Sequence, residues 1–301
     1  MAKPVVPGQS GLLVSPSEKS SVGRLFMLLS AFLFAASDGI IKVLDPRFRP
    51  WDIAFYRFGG GLLLLLVLFG RKTNPFKGSS LTLFIVRGLS GTAAFLSLIA
   101  AIRLLPLSSA IVLFYSFPTF AALFSALFFK ERITRLQMLS ILGTFAGVAV
   151  MLDFTVQGSL LGQTMSLLAG VLAGFTVTII KKLRENNGVV IIYLYFCLVG
   201  GVVTFPKFIA GPMLPGSGLE WLAIGSMIVL LVGAQLSMNQ GYLHCKSWEG
   251  GLFLSNEVVF TAILGIFLFG DQVTWRFWCG GGLILGSVLF LDWGNRRGEN
   301  G

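Results

Sequence analysis

Residues 107–135, LSSAIVLFYSFPTFAALFSALFFKERITR, and residues 247–275, SWEGGLFLSNEVVFTAILGIFLFGDQVTW, are two versions of one pattern. At an offset of 140, Leu113 meets Phe253, Phe129 meets Phe269, Glu131 meets Asp271 and Thr134 meets Thr274. Each stretch is an apolar helix closed by an acidic residue, with a Thr three positions later and a glycine-rich helix behind it. Gly143 and Gly147 mark that next helix in the first half, and Gly280, Gly281, Gly282 and Gly286 mark it in the second. Small residues of this kind let helices approach closely in lipid.

Working outward, the whole chain carries the same signal. Of 301 residues 55% are hydrophobic and 12% charged, and the mean hydropathy is +0.83, whereas soluble domains carry roughly 25% charged residues. A soluble chain could not hide this much apolar surface. A spanning helix needs about 20 mainly apolar residues with every backbone amide paired. Ten such spans are predicted, at 25–44, 51–69, 81–104, 107–129, 134–152, 160–181, 189–208, 221–243, 250–269 and 275–293. Asp45-Pro46, Asn74-Pro75, Leu105-Pro106, Asn186-Asn187-Gly188, Gly211-Pro212 and Pro215-Gly216 are the turn signals between them. The expected fold class is an all-α integral membrane protein, ten transmembrane helices in two inverted five-helix repeats. Its divisions are a disordered cytoplasmic tail at 1–24, a first repeat at 25–154, a second at 155–293 and a short tail at 294–301.

The net charge is +10, but its placement says more than its sum. With the N-terminus inside, the inside segments hold 15 Lys and Arg residues and the outside segments 5; Lys42, Arg57 and Arg87 fall within spans. That bias puts both termini in the cytoplasm, reads the basic charge as a topology signal rather than a nucleic-acid surface, and fits a bacterial inner membrane. Each repeat has five spans, so the second enters the membrane upside down. Inverted repeats place a solute site near the midplane and allow alternating access.

A charge inside a span costs about 2.5–3.5 kcal/mol on insertion scales, so each asks for a reason. Asp38 and Lys42 share a face of span one, and Arg57 lies about two turns into span two from the same side. They read either as an ion-paired cluster or as a gate or coupling site. Arg87, in span three, either snorkels to the headgroups or anchors a carboxylate or phosphate through its planar donor fork. Glu257, beside Ser255 and Asn256 in span nine, has no partner in its own apolar run. It is either a hydrogen-bonded protonated carboxyl or a group that couples transport to protons. Gln235 and Asn239 share a face of span eight, near Gln240, and with Tyr115, Ser116 and Asn256 they are candidates for a polar ligand or for interhelical hydrogen bonds. Pro118 is expected to bend span four. His244 and Glu249 read as residues of the membrane boundary. Cys197, Cys245 and Cys279 lack the spacing of a disulfide framework or metal site, and no cofactor is expected.

The string Ala101-Ile102-Arg103-Leu104-Leu105-Pro106-Leu107-Ser108-Ser109-Ala110, then Pro118, then Lys130-Glu131-Arg132 resembles the EamA-type repeat of the drug/metabolite transporter superfamily. The second half is the weaker match, with Val258 in place of the mid-helix Pro and Asp271 in place of the closing Glu. The resemblance implies ten helices around a cavity lined by spans one, three, four, six, eight and nine, with spans five and ten peripheral. It also implies transport of a metabolite, and members with a basic residue near Arg87's place include organic-anion carriers. The chain thus reads as a secondary transporter of an organic anion or amino-acid-like solute, partnered by that solute and the bilayer, with a homodimer left open. No Walker A motif supplies ATP and no catalytic set stands out, which sets aside a primary pump and a lipid-modifying enzyme. A channel-like or non-transporting membrane protein is the other reading; an inverted repeat with charges at several depths fits alternating access better.

Overall fold

A computed structural model describes residues 16–70, 78, 80–129, 135–151, 159–244 and 253–299. Among these the chain is helical: α1 (Pro16–Val43), α2 (Pro50–Phe69), α3 (Leu81–Leu104), α4 (Leu107–Phe114), α5 (Phe117–Phe129), α6 (Arg135–Met151), α7 (Leu160–Arg184), α8 (Val189–Ile209), α9 (Gly218–His244), α10 (Asn256–Phe269) and α11 (Trp275–Glu299). Seven stretches, with α4 and α5 counted together as Leu107–Phe128, are long and apolar enough to cross a membrane. The shorter apolar α6 and α10 and the 25-residue α11 bring the crossings to ten. A helix of 24 residues such as α3 is roughly 36 Å long, enough for a hydrocarbon core of about 30 Å. Side chains such as Val67 and Phe267, both 81% exposed, form the outward apolar surface that lipid covers.

Two boundaries differ from the sequence reading. α1 begins at Pro16 rather than residue 25, and α11 continues to Glu299, so part of each expected tail is helical. Among the tail residues, 1–15 and 300–301 lie outside the described residues, as do Glu131, Cys245, Trp248 and Glu249.

The helix pairing obeys a two-fold exchange. α1 packs most heavily on α9, and α3 on α7; α6 packs on α11, α2 on α8 and α4 on α10. Numbering the crossings one to ten and exchanging each with the one five places away turns one–eight into six–three. It leaves two–seven, four–nine and five–ten unchanged. The lesser pairings follow suit: α7 against α4 and α5 mirrors α1 against α10, and α3 against α8 mirrors α9 against α2. Crossings five and ten, α6 and α11, meet mainly each other. Their backbones touch where a Cβ on Gly147 would lie 2.8 Å from the Gly280 carbonyl oxygen, and one on Gly280 2.8 Å from that of Gly147.

The connections show which way each repeat runs. At one end of the bundle Arg47 pairs with Glu220, and Arg49 Nη2 donates to the Gly211 carbonyl at 2.5 Å. At that end Lys42 also reaches Leu105, and Ser108 meets Asp271. Crossing six starts at this same end, because a Cβ on Gly162 would lie 2.9 Å from Leu104 Cβ. Crossing one finishes here. The two repeats therefore pass through the bundle in opposite senses.

Candidate functional site

Two buried arginines converge where α2, α3 and α8 pack. Arg57 of α2 and Arg87 of α3 are 7% and 5% exposed. The Arg57 guanidinium carbon lies 3.7 Å from the Phe95 ring centroid and 5.6 Å from that of Phe196, and the Arg87 guanidinium carbon lies 3.8 Å from Phe196. One ring of α8 thus serves both cations, a contact worth about 2 kcal/mol when desolvated. Gly91, one turn on from Arg87, leaves the room that a Cβ would take from Arg87 Nη1. Tyr193 and Cys197, on the same face of α8, lie within electrostatic reach of both guanidiniums. The ring faces do not satisfy the N–H groups. Arg57 Nε and Arg87 Nε and Nη1 are buried with no hydrogen-bond partner among the described residues. A buried donor on a charged group left unpaired costs more than the usual 1–3 kcal/mol. Arg87 therefore does not snorkel; it is held inside, against an aromatic ring.

Asp38 of α1, 4% exposed, lies within electrostatic reach of Arg57 and of Glu257. Of the two partners that an ion-paired cluster offered Asp38, Arg57 lies within electrostatic reach and Lys42 is not paired with it. Lys42 Nζ instead donates to the carbonyls of Ile102 (2.8 Å) and Leu105 (2.5 Å), which the end of α3 leaves without helical donors. Four-residue spacing put Asp38 and Lys42 on one face, but the lysine stem is long enough for the helix end to win.

Crossings four and nine are interrupted at matching places. α4 stops at Phe114 and α5 starts at Phe117; the short helical piece at 253–254 stops at Ser255 before α10. At the offset of 140 the local hydrogen bonds match as well: Ser116 Oγ donates to Leu113 O (2.8 Å) and Asn256 Nδ2 donates to Phe253 O (3.0 Å). Pro118 does not bend a continuous helix as expected. The break precedes it, and Pro118 sits in the first turn of α5, where its missing N–H is not needed. The two breaks meet through Tyr115, whose hydroxyl lies 2.9 Å from Leu254 O and 3.0 Å from Glu257 Oε2. Tyr115 and Asn256, read from sequence as candidate ligands of a solute, are engaged here within the bundle. Gln235 and Asn239 are half-buried on α9 and make no side-chain hydrogen bond among the described residues.

A cavity of about 480 Å³ opens at the Lys42 end, with Ser109, Gln163, Asp271, Thr274 and Arg276 among its polar lining and Leu113 in its wall. Both repeats contribute. Asp271 accepts from the Ser108 N–H (3.0 Å) and hydroxyl (2.9 Å), capping α4 across the repeat boundary. Sequence reasoning used Asp271 only as a repeat marker and passed over Gln163, although a Gln in the apolar run of crossing six was a signal in plain view.

This architecture can be set beside known proteins. The model of the EamA-like transporter family matches residues 21–153 and again 160–292. The pseudopaline exporter CntI of Pseudomonas aeruginosa is 26% identical over 260 residues, covering 85% of this chain and 87% of that protein. An S-adenosylmethionine uptake transporter of Rickettsia bellii is 24% identical over 285 residues, covering 92% and 95%. Human solute carrier family 35 member G1 is 24% identical over 279 residues, covering 87% and 76%. A solved crystal structure superposes with a TM-score of 0.61 at 19% identity, covering 95% of this chain and all of that one, and so shares the fold. Two matched copies of one family unit, two halves exchanged by a two-fold pairing, and relatives that are transporters rather than enzymes lead to one conclusion: the chain belongs to the EamA-like transporter family, as an integral membrane transporter of small solutes.

Proposed function

We propose that the chain is a secondary transporter of an organic anion or amino-acid-like solute, working by alternating access with both termini in the cytoplasm of a bacterial cell. One observation carries the reading. Arg57 and Arg87 are buried over one Phe196 ring, with three guanidinium nitrogens whose N–H groups no described residue accepts. A planar fork of this kind suits a carboxylate or phosphate. Asp38, within electrostatic reach of Arg57, and Glu257, within reach of Asp38, would take a cationic group, so a zwitterion fits the charges as well as a simple anion does. The polar groups of Gln235 and Asn239 are available to the rest of the solute. Glu257 and Asp38 are also the groups through which protons would drive accumulation, with Lys42 at the outer mouth.

The test is a thermal-shift screen of purified protein against carboxylates, amino acids, phosphorylated metabolites and S-adenosylmethionine, the last because a relative's name carries it. An acidic or zwitterionic solute should stabilise the wild type, and Arg87→Ala should weaken that binding about tenfold or more. Equal stabilisation of the Arg87→Ala protein by the same solute would sink the assignment. In proteoliposomes that solute should show saturation and counterflow, and Glu257→Gln should lose pH-driven accumulation while keeping exchange.

A further inference from the structure

Counting protons at the meeting of the two broken crossings gives a result beyond the transport reading. In an unbroken helix Leu254 O would accept from the N–H of Val258, but Val258 N donates to Ser255 O instead, at 3.1 Å. Tyr115 supplies the missing donor. Its hydroxyl lies within hydrogen-bond distance of both Leu254 O and Glu257 Oε2, at 2.9 and 3.0 Å. A phenol owns one proton and a carbonyl oxygen none. Two full hydrogen bonds therefore need a second proton, and of these three groups only the Glu257 carboxyl can hold it. With Glu257 protonated, its O–H donates to Tyr115 Oη and the Tyr115 O–H donates to Leu254 O. With Glu257 ionised, the single phenolic proton goes to the carboxylate, the stronger acceptor, and Leu254 O is released.

We propose that Tyr115 and Glu257 form a proton-dependent latch between crossings four and nine, closed on Leu254 while Glu257 carries its proton and released when the proton leaves. Tyr115 is then a positioning residue that converts the charge state of Glu257 into a join between the two repeats. The helices packed on α10 present few other charges. From α1, Asp38 lies within electrostatic reach of Glu257, and Lys42 is bonded to the end of α3. α4 carries no charged side chain, and Arg57 of α2 acts on Asp38. Asp38 is therefore the acidic group whose charge bears on Glu257. The latch takes its purpose from the transport reading, but its existence is a property of the bundle alone and needs no solute to be observed.

Infrared difference spectra of the purified full chain, recorded while the pH is stepped, read the latch directly. The wild type should show the C=O band of a protonated carboxylic acid that disappears as pH rises. Glu257→Gln should abolish it and Asp38→Asn should keep it with a moved midpoint. Tyr115→Phe should retain the band but shift it upward, since the carboxyl O–H loses its acceptor. 3-Fluorotyrosine at position 115, the same size and a weaker acceptor, should shift it the same way by less, which separates the hydrogen bond from a folding defect. A band that survives Glu257→Gln, or one that both changes at position 115 leave in place, overturns the proposal. Absence of S-adenosylmethionine or glutamate counterflow in wild-type vesicles, with the band behaving as described, counts against the transport reading and leaves the latch standing.

Discussion

At the scale of single residues, three long cations meet two different fates. Arg57 and Arg87 share the Phe196 ring, and Lys42 closes the end of α3. Replacing Phe196 by Leu keeps an apolar side chain but removes the π face under both guanidiniums, and about 1–2 kcal/mol of stability should be lost. That loss should vanish when Arg57 and Arg87 are both Met, which a double-mutant comparison of unfolding in mixed detergent measures. Lys42→Met keeps the stem and deletes the ammonium. It strands the carbonyls of Ile102 and Leu105 and should cost about 1–3 kcal/mol in the same assay; an unchanged midpoint would show that water replaces the ammonium. Arg49 stands apart, at the mouth of α2: hydrogen bonds to Asp52 raise its already high pKa, so this cap keeps its positive charge at any working pH.

At the scale of elements, the paired interruptions and the α6–α11 contact are the features on which motion and assembly depend. Ser116 and Asn256 use different chemistry for one task, tying a broken helix to the carbonyl three residues back. Ser116→Ala and Asn256→Ala should each destabilise by about 1 kcal/mol, by similar amounts, if the breaks are equivalent. A loss confined to one of them would mean that only one crossing relies on its break. Gly280 sits where two backbones touch, so Gly280→Leu must push α11 off α6 and should destabilise by about 1–3 kcal/mol, read as a lower unfolding midpoint. The sequence offered the repeated acidic residue and the glycines of the following helix, and so announced that α6 and α11 can pack closely, but not that they pack on each other. It did not announce the breaks. Pro118 drew the reading to itself because a proline's effect on a helix is local and known, whereas Val258 gives no such sign, and the break at Ser255 is recognised only once Tyr115 is seen reaching Leu254.

At the scale of the whole molecule, the two-fold exchange of crossings makes a prediction about sidedness. Cysteines introduced at Asn187 and at Ser217, on successive connections, should react with impermeant reagents from opposite faces of the membrane: Asn187 from the cytoplasm, Ser217 from outside. Labelling of both from one face would end the up-and-down arrangement of the second repeat. The sequence by itself determined that this chain lives in a bilayer, crosses it about ten times and repeats itself, because hydrocarbon demands long apolar helices and leaves that demand written in composition and period. It also named the charges that need a reason. Which reason each one has was decided by tertiary structure alone. Lys42 left its sequence neighbour for a helix end, Arg87 found a ring on α8, and Tyr115 crossed to the other repeat. In lipid a polar side chain is settled by whichever unpaired group lies within reach, and reach across the bundle is set by helix packing rather than by distance along the chain.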